Sequence, residues 1–304
     1  MAAKTVKLYP LDQSALFKCS SKKKLAMLLR CTQKELVFLA KNARELYHNF
    51  DIPKKNSTEK RGITAPHKEL KKVQKRIFSL LRRVEKPDWV ISSSLGKSYI
   101  TNAKYHQQSD YFFKTDILHF YDNCKRDRVY RFYREKLKTS PDIAELLADL
   151  TTRIDIPTGC PTSQLIAYFA YSDMFHNLHS IAVQHDCKMS LFVDDIVISS
   201  NTPFSFNSLA RQLEIEVRKF DHKLKKSKTR FYSGKKGAPV TGVIIKENRL
   251  HIPNSLRQDV IFSFISFKDS PPKVIDKRPL AGKVQAAKRI EPNHFNGIKS
   301  FIKQ

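Results

Sequence analysis

Leu191-Phe192-Val193-Asp194-Asp195-Ile196-Val197-Ile198-Ser199-Ser200 sets two adjacent carboxylates between two apolar runs rich in β-branched residues. Runs of that kind predict short buried strands, and the charged pair between them predicts the tip of a tight hairpin. Burying a bare carboxylate costs on the order of several kcal/mol unless something positive meets it. That partner is a metal ion or a basic side chain; a plain, fully solvated Asp-Asp turn is the alternative. The segment alone leaves the choice open.

The chain around it has 304 residues, enough for a sizeable core in roughly two or three lobes. It carries 56 Lys and Arg against 29 Asp and Glu, a formal net charge of +27. Such an excess disfavours a lone compact state and attracts a polyanion. The charge is spread along the whole chain rather than held in a tail, so nucleic acid is the expected partner. An anionic membrane is the weaker rival: no apolar run reaches the length of a spanning helix, and no signal peptide opens the chain. Cys19, Cys31, Cys124, Cys160 and Cys187 include no Cys-x-x-Cys pair. That argues for a reducing cytosol and against zinc. His176 and His179, three apart and without further ligands nearby, read as ordinary helix residues.

Residues 1–20 show no clear period and predict a loose lead-in. From Ser21 onward Leu25, Leu28, Leu29, Leu36, Leu39 and Tyr47 recur at helical spacing, and Thr32 with Glu35 makes a capping box for the second helix. Phe50–Lys55 and Gly62–Pro66 predict two short strands of a polar, basic hairpin with prolines at strand ends. A long basic amphipathic helix follows, with Leu70, Val73, Ile77, Leu80 and Leu81 on its apolar stripe and a basic side suited to phosphate. Tyr111–Ile117 is the next strand, carrying Asp116 near its end, and a basic helix follows over Arg126–Lys138. Leu146–Ile156 leads into the turn-rich Pro157-Thr158-Gly159-Cys160-Pro161, after which Thr162 or Ser163 can cap an apolar helix from Gln164 to Ile181. Beyond the Asp-Asp hairpin a helix is expected over Ser205–Leu224. A β-hairpin is expected over Lys228–Ile245, with Gly234 and Gly237 at its turn and Val240-Thr241-Gly242-Val243 on its return strand. A helix near Ser255–Phe267, a Pro-rich link at Ser270–Pro279 and a last helix to about Arg289 complete the chain. Strands and helices alternate without internal repeat, which predicts an α+β fold.

Asp116 ends one strand, and Asp194 and Asp195 sit on a hairpin tip later in the chain. Three carboxylates from two neighbouring strands are what a two-magnesium site needs, because Mg²⁺ prefers oxygen ligands and keeps phosphates and water as the others. Two such ions about 3.5–4 Å apart activate an attacking hydroxyl and stabilise the leaving oxygen of an in-line phosphoryl displacement. With a basic surface to hold nucleic acid, these residues predict nucleotidyl transfer.

Five segments follow one another in a set order: Arg61-Gly62-Ile63-Thr64-Ala65-Pro66 with Leu70-Lys71-Lys72-Val73-Gln74, then Asp116-Ile117-Leu118-His119-Phe120-Tyr121, Ile156-Pro157-Thr158-Gly159-Cys160-Pro161-Thr162-Ser163, Phe192-Val193-Asp194-Asp195, and Lys228-Thr229. In that order they resemble the motifs of a reverse transcriptase: the finger strand, the first palm motif, Leu-Pro-Gln-Gly-x-Pro-x-Ser, Tyr-x-Asp-Asp and Lys-Thr. Asn102-Ala103-Lys104-Tyr105-His106 is similar to an Asn-Ala-x-x-His motif of the bacterial retron type, and Val240-Thr241-Gly242 to that type's Val-Thr-Gly triplet. Arg289-Ile290-Glu291-Pro292 is similar to its thumb end. The chain departs from the family in Thr158 for Gln, Gln164 for Pro, Tyr168 for Asn and Phe192-Val193 for Tyr-Ala.

The resemblance implies a right hand of α+β class, with a lead-in over 1–20, fingers over 21–108, palm over 109–249 and thumb over 250–304. It implies RNA-directed DNA synthesis with two Mg²⁺ ions, for which Mn²⁺ can substitute. Asp116 and Asp194 would ligate both metals, Asp195 would be a secondary ligand or an orienting charge, and the carbonyl of Ile117 could also reach a metal. Arg61, with Lys54 or Lys55, would grip the triphosphate. Tyr121 lies where the family has an aromatic that crowds a ribose 2′ hydroxyl; a plain core aromatic is the other reading. Gly159, Pro161 and Ser163 would shape the loop under the templating base and nucleotide, and Phe192 and Val193 would lie near the primer end and incoming sugar. Lys228 would donate a proton to the pyrophosphate leaving group or contact phosphate. Asn102, His106, Val240, Thr241 and Gly242 would meet RNA, although a local hydrogen-bonded turn explains Asn102 and His106 equally well.

The partners implied are dNTPs and a dedicated structured non-coding RNA that serves as template and supplies a 2′ hydroxyl as primer. The product would be a branched RNA–DNA hybrid, and a separate effector protein would act with it in bacterial antiphage defence, in the cytoplasm. One rival is a divergent defence-associated reverse transcriptase making repetitive or template-poor DNA. Another is a non-catalytic RNA-binding scaffold with a polymerase-like fold.

Overall fold

The alternating strand pattern builds a sheet with two different faces. In the computed structural model, which describes residues 7–53, 58–268 and 276–303, β1 (Tyr47–Pro53) and β2 (Lys60–Pro66) form an antiparallel ribbon. The central sheet contains β3 (Tyr111–Asp116), β4 (Lys188–Phe192), β5 (Asp195–Ser200) and β6 (Arg230–Ser233), in the antiparallel order β4-β5-β3-β6. A smaller sheet holds β7 (Ala238–Val240), β8 (Val243–Lys246) and β9 (Arg249–His251). The class is mixed α+β, as the alternation predicts.

Successive side chains of a strand point to opposite faces. One face of the central sheet offers Phe113, Met189, Leu191, Ile196 and Ile198, all buried in the main core with the helices Ser163–Ala170, Ser172–Gln184 and Phe206–Arg218. The other face carries Phe112 and Val197, covered by the helix Tyr99–His106 and the small sheet. At its open end the same face carries Lys114, Asp116 and Asp195. Hydrophobic burial on both faces thus leaves one corner for charge.

The helix Lys68–Leu81 buries Leu70, Val73, Ile77, Leu80 and Leu81 and exposes Lys68, Lys71, Lys72 and Lys75, as its period predicts. Burial of each such side chain contributes about 1.5–3 kcal/mol. The helices Lys22–Leu29 and Gln33–Lys41 also form, the second with the Thr32–Glu35 capping box.

Other expectations are corrected. Residues 7–20 are not a loose lead-in: Tyr9 bridges Val84, and Leu16 and Cys19 are fully buried. They pack through turns, which have no period to read. The apolar helix expected over 164–181 breaks at Tyr171, whose hydroxyl donates to the Asn123 carbonyl at 2.9 Å and accepts from the Lys125 N–H at 3.1 Å. Thr162 takes the N-cap position, but its side chain accepts no capping hydrogen bond, and the Ser163 hydroxyl donates back to the Pro157 carbonyl. The helix from Phe206 stops at Arg218, because the chain then runs back along the first palm motif, Lys223 and Lys225 bonding with Leu118 and Asp116 backbone. The basic helix over Arg126–Arg131 continues as a π-turn over Phe132–Lys136.

The hairpin expected over 228–245 is two separate pieces. β6 pairs with β3, whereas β7 pairs with β8 across a two-residue turn at Thr241-Gly242. Both turn residues have positive φ, 43° and 84°, the backbone that tight hairpins require. Gly242 therefore turns the chain rather than extending a strand. Helices at Pro141–Thr151 and Asn296–Lys303 were not anticipated, and most of the Pro-rich link at 270–279 lies outside the described residues. Asn254–Lys268 and Arg278–Ile290 form as expected.

Candidate active site

Strand register alone brings the acids together. Asp116 stands directly opposite Asp195 at the open end of the β3–β5 ladder. Asp194 occupies the turn beside them, and its carbonyl accepts the Ile117 N–H at 3.1 Å, which locks the hairpin tip to the end of β3. Val193 precedes it with φ of 65°, an outlying backbone for a β-branched residue, held by its N–H donating to Ser92 Oγ at 2.8 Å.

Two lysines meet the acids. Arg230 pairs with Lys114 in the β3–β6 ladder, so the same register carried two residues further sets Lys228 opposite Asp116. The Lys228 ammonium donates to Asp116 Oδ2. Lys114, on the same strand face as Asp116, places its Nζ 3.1 Å from Asp195 Oδ2. Behind the sheet Thr115 and Thr229 share a 2.8 Å hydroxyl hydrogen bond that clamps the two strands.

Burial, reinforced by the fields of Asp116 and Asp195, pushes the Asp194 carboxyl up to about 6. Burial also raises Asp195, with Lys114 opposing. For Lys228 burial works against the charge, but the hydrogen bond to Asp116 and the fields of all three acids outweigh it and raise its pKa. The corner therefore holds more negative charge than its surroundings comfortably solvate.

Do these residues fit divalent ions? Among the described residues no three His, Cys, Asp or Glu side chains form a ready-made coordination shell. Mg²⁺ does not ask for one: it binds through one or two carboxylates and completes its octahedron with water and substrate phosphates. Asp195 Oδ1 is buried without a hydrogen-bond partner among the described residues, and ammonium groups stand where cations would be drawn. The donor set fits.

The acids open on a cleft of about 1220 Å³ whose walls include Arg61, Tyr121, Pro161, Phe192, Val193 and Lys228. Ile117 and Ser163 also border it. Arg61 projects from β2 at the rim. Lys54 and Lys55 lie outside the described residues. Tyr121 is largely buried beside Phe120, and burial together with the charge of Asp194 raises its phenol. Gly159 is pressed against the ribbon: its N–H donates to the Thr64 carbonyl, and a Cβ there would come within 2.6 Å of that oxygen. Next to it, the Thr158 hydroxyl accepts from the Thr64 N–H at 3.4 Å and lies 3.3 Å from the Gly62 carbonyl. The loop carrying the departure from Gln is thus stitched to β2 by the Gly159 N–H and the Thr158 hydroxyl.

Three residues expected to meet RNA, Asn102, His106 and Val240, are in the interior, and Thr241 is half-buried. His106 is fully buried, its Nδ1 2.6 Å from Ser199 Oγ and its Nε2 2.7 Å from Ser190 Oγ. Burial lowers its pKa to about 3, so the ring stays neutral. Asn102, also fully buried, donates to Thr241 Oγ1, which in turn donates to the Tyr99 carbonyl at 3.0 Å. Val240 is in the core, and only Gly242 of this group is exposed. These residues tie the helix Tyr99–His106 to both sheets, because a buried polar side chain must find its partners inside. The partners Thr241, Ser199 and Ser190 lie far away in sequence, so instead of the local hydrogen-bonded turn expected for Asn102 and His106 the structure has bonds that cross the fold.

Sequence reading missed Lys114, Ser92 and the stitching role of Thr158. Lys114 was legible: it lies two residues before Asp116 on an alternating strand. Ser92 left no signal, because its contact crosses from a loop to a hairpin tip. On the ribbon, His48 and Phe50 stack at 5.7 Å, and Phe50 and Ile52 stay 45% and 40% exposed.

Comparison with known proteins gives the same direction. The family described as "Reverse transcriptase (RNA-dependent DNA polymerase)" matches residues 52–245. The chain is 25% identical over 244 residues to the retron Se72 reverse transcriptase of Salmonella heidelberg (strain 579083-10), covering 75% of this chain and 64% of that one. It is 27% identical over 224 residues to the retron Ec48 reverse transcriptase of Escherichia coli, covering 69% and 55%. With the retron Ec83 reverse transcriptase of Escherichia coli it shares 23% over 261 residues, 81% and 83% of the two chains. The chain thus spans somewhat under two thirds of the length of the first two relatives. Among the described residues no helix is long and apolar enough to cross a membrane.

Proposed function

The chain belongs to the reverse transcriptase (RNA-dependent DNA polymerase) family and is of the retron type, and from that premise we propose that it extends a DNA strand on a dedicated structured RNA. The reading rests on one observation: Asp116 faces Asp195 in strand register, with Asp194 beside them, at the mouth of a cleft rimmed by basic side chains. The lobes follow the right-hand plan, with fingers over 21–108, palm over 109–249 and thumb over 250–304. A branched RNA–DNA product and an antiphage setting with a separate effector belong to the same proposal, supported by the likeness to reverse transcriptases named for retrons.

Asp116 and Asp194 would hold the divalent ions, with Asp195 and the Ile117 carbonyl in support. When bound, the ions lower the pKa of the attacking hydroxyl and stabilise the leaving oxygen. Arg61 clamps the triphosphate, since its planar fork matches phosphate oxygens. Tyr121 fills the space beside the sugar, and Phe192 and Val193 bear on the primer end. Lys228, more than half exposed at the cleft wall, donates a proton to the leaving phosphates or contacts them. Gly159 lets the loop under the base pair lie flat against β2.

Primer extension with Asp194→Asn beside the parent chain tests the proposal. A loss of about 10²–10³-fold is expected for a residue acting on charge in the transition state, and equal extension by both chains overturns it. Equal absence of extension favours the RNA-binding scaffold. Sequencing the co-purifying DNA separates the remaining readings: one defined species joined to RNA supports the retron product, and repetitive DNA supports the divergent polymerase.

A further inference from the structure

Lys114 is used by none of the steps above, yet it is more sheltered than the other lysine that meets these acids. Its side chain is 21% exposed and that of Asp195 19%, whereas the Lys228 side chain is 53% exposed. Strand alternation gives Lys114 no other direction: Phe112 on the same face is buried in the small core, and Asp116 on the same face opens on the cleft. Across the sheet Lys114 sits opposite Val197 on one side and Arg230 on the other. Its ammonium therefore reaches Asp195 diagonally. It engages Oδ2 and leaves the buried Oδ1 without a partner among the described residues.

We propose that Lys114 is a resident counter-ion of the carboxylate corner, a positioning residue that holds Asp195 by one oxygen and restrains the affinity of the nucleotide-free site for divalent ions. The inference rests on the polymerase reading of the same site. Its physical basis is the difference between the two lysines. Lys228 can leave its acid for solvent or phosphate, so it gives way when a divalent ion arrives. Lys114 lines the same cleft but is far less exposed, 21% against 53%, and its strand position keeps its charge beside any ion bound there. At distances of a few ångströms a fixed positive charge in a partly buried site repels a divalent cation by on the order of kcal/mol. A site that holds free ions weakly takes them up together with the negative triphosphate, and it does not trap them without substrate. Lys114 also fixes which oxygen of Asp195 remains open.

The test measures Mn²⁺ binding to the nucleotide-free protein by electron paramagnetic resonance, with melting temperature recorded with and without Mg²⁺. Lys114→Gln keeps a donor for Asp195 Oδ2 and removes the charge; Lys114→Arg keeps the charge. About tenfold tighter Mn²⁺ binding is expected in Lys114→Gln, with a larger Mg²⁺-induced rise in melting temperature and near-parent values in Lys114→Arg. Asp195→Asn in the parent, which leaves Lys114 uncompensated, should weaken Mn²⁺ binding, and adding Lys114→Gln to it should restore binding toward the parent value. A purely structural role would lower the melting temperature of Lys114→Gln and leave its Mn²⁺ affinity at the parent value, which overturns the proposal. Should Lys114→Gln not fold, Asp195→Asn alone carries the test, since unchanged Mn²⁺ binding there also overturns the proposal. No Mn²⁺ binding by the parent, with or without dNTP, overturns the metal reading of the site as well.

Discussion

Single atoms decide several features of this protein. At Gly159 a methyl group would press on the Thr64 carbonyl, a backbone atom that cannot turn aside. Gly159→Ala should therefore destabilise the chain by about 1–3 kcal/mol, the usual cost of overpacking, read as a lower urea midpoint. Gly62→Ala, whose Cβ would meet Asp51 at an ordinary 3.7 Å, serves as the control. His106 makes a second prediction. Burial lowers its pKa to about 3, and burial lowers that of His222, whose ring nitrogens have no partner among the described residues, to about 4. Both rings are protonated more readily in the unfolded chain, so unfolding takes up protons. Their contribution is complete above the ordinary histidine pKa of about 6.5 and declines as pH falls toward the folded values, by about 1.4 kcal/mol per unit for each ring. Urea midpoints should stay level from pH 7.5 to about 6.5 and fall from there to pH 5, and His106→Gln should flatten that fall whatever it does to stability at neutral pH. None of this was legible beforehand: the pentapeptide around His106 resembles a motif, and a motif does not say which way a ring faces.

Elements show where periodicity suffices and where it fails. The helix Lys68–Leu81 could be read residue by residue, because its apolar stripe is a property of neighbours in sequence. The apolar stretch after Pro161 could not, because nothing local marks Tyr171 as the break; its hydroxyl leaves to bond backbone at Asn123 and Lys125. The β1–β2 ribbon presents His48, Phe50 and Ile52 on the face that also carries Arg61 and Ile63. Aromatic rings beside cations suit single-stranded nucleic acid, each stacked base contributing about 1–3 kcal/mol. Phe50→Ala should weaken binding of an RNA with an unpaired 5′ extension by an amount in that range, measured by fluorescence anisotropy. Its melting temperature should stay at the parent value, because the ring is 45% exposed.

For the whole molecule, the +27 charge is the dominant quantity. If roughly six to ten phosphates are neutralised, RNA affinity should fall by about 10³–10⁵ between 50 and 200 mM salt, and a flat salt titration would contradict the nucleic-acid reading. By itself the amino-acid sequence determined this charge, the class of fold, the strands that carry Asp116 and the Asp194–Asp195 pair, and the chemistry those acids suit. Charge, alternation and residue type belong to adjacent positions, so they can be read without coordinates. Only the tertiary structure decided which lysine meets which acid, that Gly159 lies against Thr64, and that His106 is sealed between two serines. The histidine and lysine contacts join residues 84, 93 and 112 positions apart. No local pattern encodes such a pairing, because it exists only once the sheet has closed and desolvated the groups that must find one another.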